Sequence, residues 1–164
     1  MAIPEAEAAV AALRLRLDPA AAWGVPAHVT VLYPFLPPHE IDGRALADVA
    51  VGVGAVRAFD VRFERTAWFG DDVLWLAPQP SAPFGELTTQ VWQRFPRCAP
   101  YEGAHPELIP HLTVGDDAAV SALREADLTV SAALPIRARV THARLICGST
   151  DPNSWRTMTE FPLG

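Results

Sequence analysis

Two stretches of this chain carry the same order of elements: a helix, a short extended segment opening on His-x-Thr, a second helix and a β-hairpin. That repeat constrains the fold more than any single pattern does, because it points to two lobes related by an approximate two-fold axis. In the first half, residues 5–16 read as a helix with Pro4 in its first turn and Asp18-Pro19 at its end. Residues 27–33 read as a strand stopped by Pro34, Pro37 and Pro38, and Asp42 is placed to cap a helix reaching about Val53. Residues 59–68 and 73–77 alternate as strands around the turn Gly70-Asp71-Asp72.

The second half repeats the order, with a helix over 84–95, a loop carrying Pro96, Pro100, Pro106 and Pro110, and a short strand over 111–114. A helix capped by Asp116 or Asp117 then runs to about Ala126, followed by strands over 136–147 and 155–160. The expected fold is α+β: a bilobal duplicated chain with two antiparallel sheets backed by helices and a central cleft carrying both His-x-Thr motifs. Residues 1–164 form one such domain, with lobes at approximately 1–80 and 81–164 and terminal elements free to cross over.

The chemistry is concentrated in His28-Val29-Thr30-Val31 and His111-Leu112-Thr113-Val114. Side chains alternate across an extended segment, so each His shares a face with its Thr while the aliphatic residues turn to the core. Five His and ten Thr in 164 residues give about 0.3 His-x-Thr pairs by chance, so two in equivalent settings with matching aliphatic partners stand out. Facing one another across a cleft, two imidazoles titrating near neutrality suit general acid–base catalysis. Cleavage of a phosphodiester needs one group to take a proton from the nucleophile and another to protonate the leaving oxygen on the far side of phosphorus. The Thr hydroxyls would donate to the non-bridging oxygens.

Composition narrows the alternatives. All 13 basic residues are Arg, which excludes Schiff-base and P-loop lysine chemistry. A net charge of −6 argues against sequence-independent binding along a long nucleic acid, though not against a local phosphate site. Cys98 and Cys147 are too few for a disulfide framework and read as two unpaired thiols. The longest uncharged apolar run, over 49–56, has 8 residues, and the N-terminus lacks a basic stretch leading into an apolar one. The expectation is therefore a cytoplasmic monomer without a membrane segment. No carboxylate cluster flanks either motif, so no metal and no other cofactor is expected.

The paired motifs in a duplicated α+β chain of this length resemble the 2H phosphoesterase superfamily, and within it the bacterial 2′–5′ RNA ligase-like proteins. The resemblance extends to Pro26–Phe35 and Pro110–Val114, to the opening Ile3-Pro4-Glu5-Ala6-Glu7, and to Trp155 with Phe161-Pro162-Leu163-Gly164. It implies metal-independent action on 2′,3′-cyclic phosphates, 2′–5′ linkages or related cyclic nucleotides, with His28 and His111 as the acid–base pair and Thr30 and Thr113 on the phosphate; the expected reaction is hydrolysis of a 2′,3′-cyclic phosphate on an RNA 3′-end or a nucleotide. Cleavage or joining of 2′–5′ linkages would use the same site, and a non-catalytic binder of nucleotides or RNA ends would keep the same fold. Gly115-Asp116-Asp117 stand where some relatives place an Arg after the second motif.

Tyr33 and Phe35 are candidates for stacking on a base. Arg137 and Arg139 share a strand face that would serve either as a positive wall for phosphate or as a solvated surface. Trp68, Trp75 and Trp92 read as core, Trp155 as core or cleft wall, and His39, His105 and His142 lack a Thr partner.

Overall fold

A computed structural model describes residues 1–105 and 107–164; Pro106, counted above in the proline-rich loop, lies outside them. A long hairpin forms its centre. Strand β1 (Phe59–Phe69) turns through Gly70 (φ 56°) into β2 (Val73–Gln79). Strand β3 (Leu112–Asp116) adds to β2 and strand β4 (Ile136–Val140) adds to β1, giving an antiparallel four-stranded sheet in the order β3-β2-β1-β4. The hairpin of the first half is thus flanked by strands of the second, a crossing-over of elements between the halves. A second antiparallel sheet pairs β5 (His142–Cys147) with β6 (Arg156–Pro162).

The single strand expected over 136–147 is two strands. Ile136, Ala138 and Val140 are buried, but both Thr141 and His142 are exposed and the next buried position is Ala143. The inward-facing phase slips by one residue there. The chain cannot keep one register through that slip, so it leaves one sheet and enters the other.

Among the described residues, five α-helices back the sheets. A 3₁₀ turn at Pro4–Ala6 leads into α1 (Glu7–Leu17), which ends where Asp18 turns extended and accepts from the Ala20 N–H (3.0 Å) to cap the short α2 (Pro19–Ala22). Asp42 caps α3 (Gly43–Gly54) as its position implied, accepting from the Ala45 N–H at 2.8 Å. Helices α4 (Ala82–Arg94) and α5 (Val120–Ser131) complete the set.

Neither Asp116 nor Asp117 caps α5. Asp116 is still paired with Val73 in the sheet, and Asp117 sits at φ 54° with its N–H donated to the Asp72 carbonyl (3.2 Å). Ala119 holds the N-cap position instead, and the helix runs on to Ser131.

Residues 27–33 do not form a strand. They make one bridge to the N-terminal segment and bend at Ala27, Val31 and Tyr33: the Ile3 N–H donates to the Ala27 carbonyl (2.8 Å) and the Val29 N–H to the Met1 carbonyl (2.9 Å). Their partner turns into the 3₁₀ helix at Pro4, which ends the pairing. Side chains of α1 take over. The Glu7 carboxylate accepts from the Ala27 N–H (2.7 Å), and the Arg14 guanidinium donates to the Val25 carbonyl (3.1 Å) while gripping Asp18 (2.8 Å).

The core lies between these layers and includes Phe63, Leu74, Leu76, Leu112 and Leu123, all fully buried. Gly115 marks its tightest point near the second motif. A Cβ there would stand 2.5 Å from the Leu123 Cδ2 and 3.1 Å from the Leu17 Cβ. Leu17 of α1 and Leu123 of α5 converge on β3 at this residue, so a methyl group must displace the buried Leu123 side chain. Gly115→Ala is expected to lower unfolding free energy by about 1–3 kcal/mol in urea titrations; a midpoint equal to that of the parent would show that the Leu123 side chain yields freely.

Candidate active site

The two histidines are held in the same way. Each ring nitrogen Nδ1 faces the carbonyl two residues upstream: Pro26 for His28 (2.8 Å) and Ile109 for His111 (2.7 Å). A carbonyl only accepts, so Nδ1 carries the hydrogen in both rings. Nε2 is thereby left as the atom able to take a proton when neutral or give one when charged. The flanking alternation follows the sequence at three of the four aliphatic positions: Val29, Leu112 and Val114 are buried, and His28, Thr30, His111 and Thr113 are each half-buried, but Val31 is half-buried too and lines the cleft instead of the core.

Thr30 and His111 line one cleft together with Tyr33, Thr88 and Tyr101 and an apolar wall that includes Ile109. His28 is close enough to His111 for charge on one ring to disfavour charge on the other. Burial is the main cause pushing the His28 pKa down to about 3, opposed by the hydrogen bond to Pro26. Burial also lowers the pKa of His111, opposed by its bond to Ile109 and by the Asp116 carboxylate. Both rings are therefore neutral in the free protein at pH 7.

The ring of His111 is framed by aromatics. Phe69 meets it edge-on (5.0 Å between centroids), Trp75 lies at 5.9 Å, and those two stack on each other at 4.7 Å. Trp75 is also the cross-strand partner of Thr113, so the core tryptophan expected from the sequence forms the wall behind the second motif.

Not every candidate reaches the cleft. Tyr33 lines it and is 55% exposed, whereas Phe35 packs edge-on against Phe95 (4.9 Å) at the margin of the core. Arg137 and Arg139 lie on the outer face of β4, in a separate groove with Asp60 and Arg62, where the Arg139 guanidinium meets the Asp60 carboxylate at 3.0 Å. His39 and His142 are exposed, and His105 packs its ring on Tyr101 (5.5 Å). Among the described residues, no three His, Cys, Asp or Glu side chains are grouped to hold a metal ion, and no helix is long and apolar enough to cross a membrane.

Sequence reading missed four contributors: Tyr101 in the cleft, Phe69 behind His111, and the Glu7 and Arg14 side chains that hold the first motif. Only Arg14 carried a local signal, its i,i+4 spacing to Asp18.

A family model described as the 2′-5′ RNA ligase superfamily matches residues 3–151. The chain belongs to this superfamily. The match spans both motifs and agrees with the resemblance carried by their flanking residues. No curated protein sequence matches the chain. Among solved structures, apo LigT of E. coli is similar to this superfamily member at TM-score 0.60 and 19% identity, covering 99% of this chain and 93% of that one. LigT complexed with 3′-AMP gives TM-score 0.59 at 19% identity over 99% and 94%. TT0787 of Thermus thermophilus gives TM-score 0.65 at 16% identity over 97% and 92%. The fold is thus the LigT fold, an α+β arrangement of antiparallel sheets backed by helices.

Proposed function

We propose that this chain hydrolyses 2′,3′-cyclic phosphates of RNA ends or nucleotides, with His28 and His111 as acid–base pair. The observation that carries this reading is the matched pair of rings, each with Nδ1 tied to a carbonyl and Nε2 left for proton transfer. One neutral imidazole takes a proton from water as the water oxygen bonds to phosphorus. The other, protonated, gives its proton to the departing ribose oxygen as that P–O bond breaks. The products are a phosphomonoester and a free ribose hydroxyl. Thr30 and Thr113 donate to the non-bridging oxygens. The two protons moved are both supplied for by imidazoles, so these steps need no metal.

The difference between the rings supports a division of labour. His28, with the pKa pushed down to about 3, suits the base; His111, whose cation Asp116 favours, suits the acid. A nucleotide-sized occupant is supported by the LigT complex with 3′-AMP, since opening a 2′,3′-cyclic phosphate at the 2′-oxygen yields a 3′-phosphate. The family description favours a second reading at the same site, cleavage or joining of 2′–5′ linkages.

The test is turnover of 2′,3′-cyclic nucleotides and a 2′–5′ dinucleotide with EDTA present, across pH 2.5–8. The rate requires His28 neutral and His111 protonated. It should fall as pH drops through the lower pKa and fall again as pH rises through the higher one. Both are depressed below the usual 6.5, so kcat/KM, which reports the free enzyme, is expected to peak on the acid side of pH 6.5. A kcat/KM still rising at pH 8, or no turnover of any member, would overturn the reading. Turnover confined to the dinucleotide would select the second one.

A further inference from the structure

The solvent face of the four-stranded sheet runs on past the second motif, and arginines line it. Residues directly opposed in an antiparallel ladder put their side chains on one face. Thr113 opposes Trp75, and Trp75 opposes Ala67, so the face of the second motif is the face of Ala67 and Phe69 on β1. Phe69 meets His111 there, while Trp68 between them turns to the core and donates to Asp127 of α5. Four residues beyond Trp75, Gln79 lies on the same side of β2 and opposes Arg62. A bulge between Phe63 and Thr66 leaves Glu64 and Arg65 both exposed, which adds Arg65 to the face that Arg62 holds. Arg62 in turn opposes Arg137, and Asp60 opposes Arg139. Arg62, Arg65, Arg137 and Arg139 are all exposed on the side that carries Thr113. Asp60 and Glu64 lie among them, and Glu5 lies at the margin of the groove.

Stability does not explain this arrangement. Arg62 and Arg137 stand directly opposite one another, where like charges repel. Arg139 has Asp60 at 3.0 Å, but the acid nearest Arg62 is Glu64 at 3.9 Å. Among the described residues, Arg65 and Arg137 have no ion-pair partner. In a chain of net charge −6 these side chains make a local positive strip. The guanidinium fork matches phosphate geometry. The cleft is the reverse: none of the described residues lining it carries a permanent positive charge. At about 3.3 Å per residue, Arg65 lies about 13 Å and Arg62 about 23 Å along β1 from Phe69. A phosphate seated in the cleft cannot touch Arg62, but the phosphates of a chain leaving the cleft along β1 can.

We propose that this arginine face binds the phosphodiester backbone of an RNA strand whose 3′-end lies in the cleft, so that an oligonucleotide end is preferred over a free nucleotide. The chemistry at the end rests on the phosphodiesterase reading above; backbone binding on the face does not. The experiment uses the full chain, the variant Arg65→Gln with Arg137→Gln, and a control, Arg16→Gln with Arg124→Gln, whose arginines are exposed on α1 and α5 behind the sheet. Binding of an oligoribonucleotide of about ten residues ending in a 3′-phosphate is followed by fluorescence anisotropy over a range of salt. Values of kcat/KM are measured for the same strand ending in a 2′,3′-cyclic phosphate and for a 2′,3′-cyclic mononucleotide.

The Arg65 and Arg137 variant is expected to bind the strand about tenfold more weakly at low salt, two exposed charge contacts being lost. Its plot of log affinity against log salt should be shallower by about 1.4, the share of two phosphates on a single strand. Its kcat/KM should fall similarly on the strand and stay within about twofold of the parent on the mononucleotide, whose phosphate lies beyond the screening length from Arg62. The control should bind the strand nearly as the parent does. Parental affinity and slope in the Arg65 and Arg137 variant, an equal loss in the control, an equal loss on the mononucleotide, or a parent that does not bind the strand would each overturn the proposal. A parent that binds the strand with this dependence on arginine but turns over no cyclic phosphate would overturn the phosphodiesterase reading and leave the arginine face standing.

Discussion

Asparagine at either His28 or His111 is expected to lower kcat/KM for a 2′,3′-cyclic nucleotide by about 10²–10⁴-fold, the usual worth of a positioned acid or base. Asparagine is the informative replacement because its amide N–H₂ can still donate to the Pro26 or Ile109 carbonyl while nothing remains to titrate. Alanine at 111 would also open space against Phe69 and Trp75, mixing a packing loss into the kinetic one. The double variant should lose little more than the worse single one, since one proton transfer without the other does not complete the displacement. Each single variant should also lose one limb of the pH profile: the acid limb with His28, the alkaline limb with His111. Turnover within tenfold of the parent in either variant, with an unchanged melting temperature, would remove that histidine from the mechanism.

The site was legible where its chemistry is written in contiguous residues. The period-two alternation through His28–Val31 and His111–Val114 placed the imidazole and hydroxyl on one face and the aliphatic residues in the core; burial follows that pattern except at Val31, which is half-buried and lines the cleft beside Thr30. The cap at Asp42 and the hairpin turn at Gly70 were equally local. The errors arose where a distant partner decides the backbone. Residues 27–33 have strand composition but pair only with the N-terminal segment, so they stay outside any sheet. Asp116 has the right residue type for a cap but is retained in β3 by Val73. Phe35 is as aromatic as Tyr33, yet Phe95, sixty positions away, claims its ring. Tyr101 left no trace in the sequence, because its place in the cleft depends on a turn held by Tyr33 and Ala99. Only the break between β4 and β5 was readable and overlooked: the buried phase changes parity at Thr141 and His142.

Arg14→Met is expected to destabilise the protein by about 3–5 kcal/mol, the cost of leaving one member of a buried ion pair without the other. Arg14 is 2% exposed and Asp18 is 6% exposed, so water cannot replace the lost guanidinium. Three bonds disappear: two to the Asp18 carboxylate (3.1 and 2.8 Å) and one to the Val25 carbonyl (3.1 Å). The carboxylate keeps only the Ala20 N–H. With typical net stabilities near 5–15 kcal/mol, a loss of this size would bring the urea midpoint down sharply. Arg14→Met with Asp18→Leu should recover part of the loss, since the unpaired ion is removed, while the cap of α2 at the Ala20 N–H goes with the carboxylate at a cost of about 0.5–2 kcal/mol. Catalysis should not recover with it. The Val25 carbonyl is a tether of the segment that carries His28 three residues on, and no side chain of the double variant can donate to it. A fold partly restored in urea titration with kcat still reduced would separate the two tasks of Arg14, holding α1 together and holding the first histidine in place. A single Arg14→Met variant losing under about 1 kcal/mol would mean that the Asp18 carboxylate finds another partner, and that the Val25 tether is not what fixes His28.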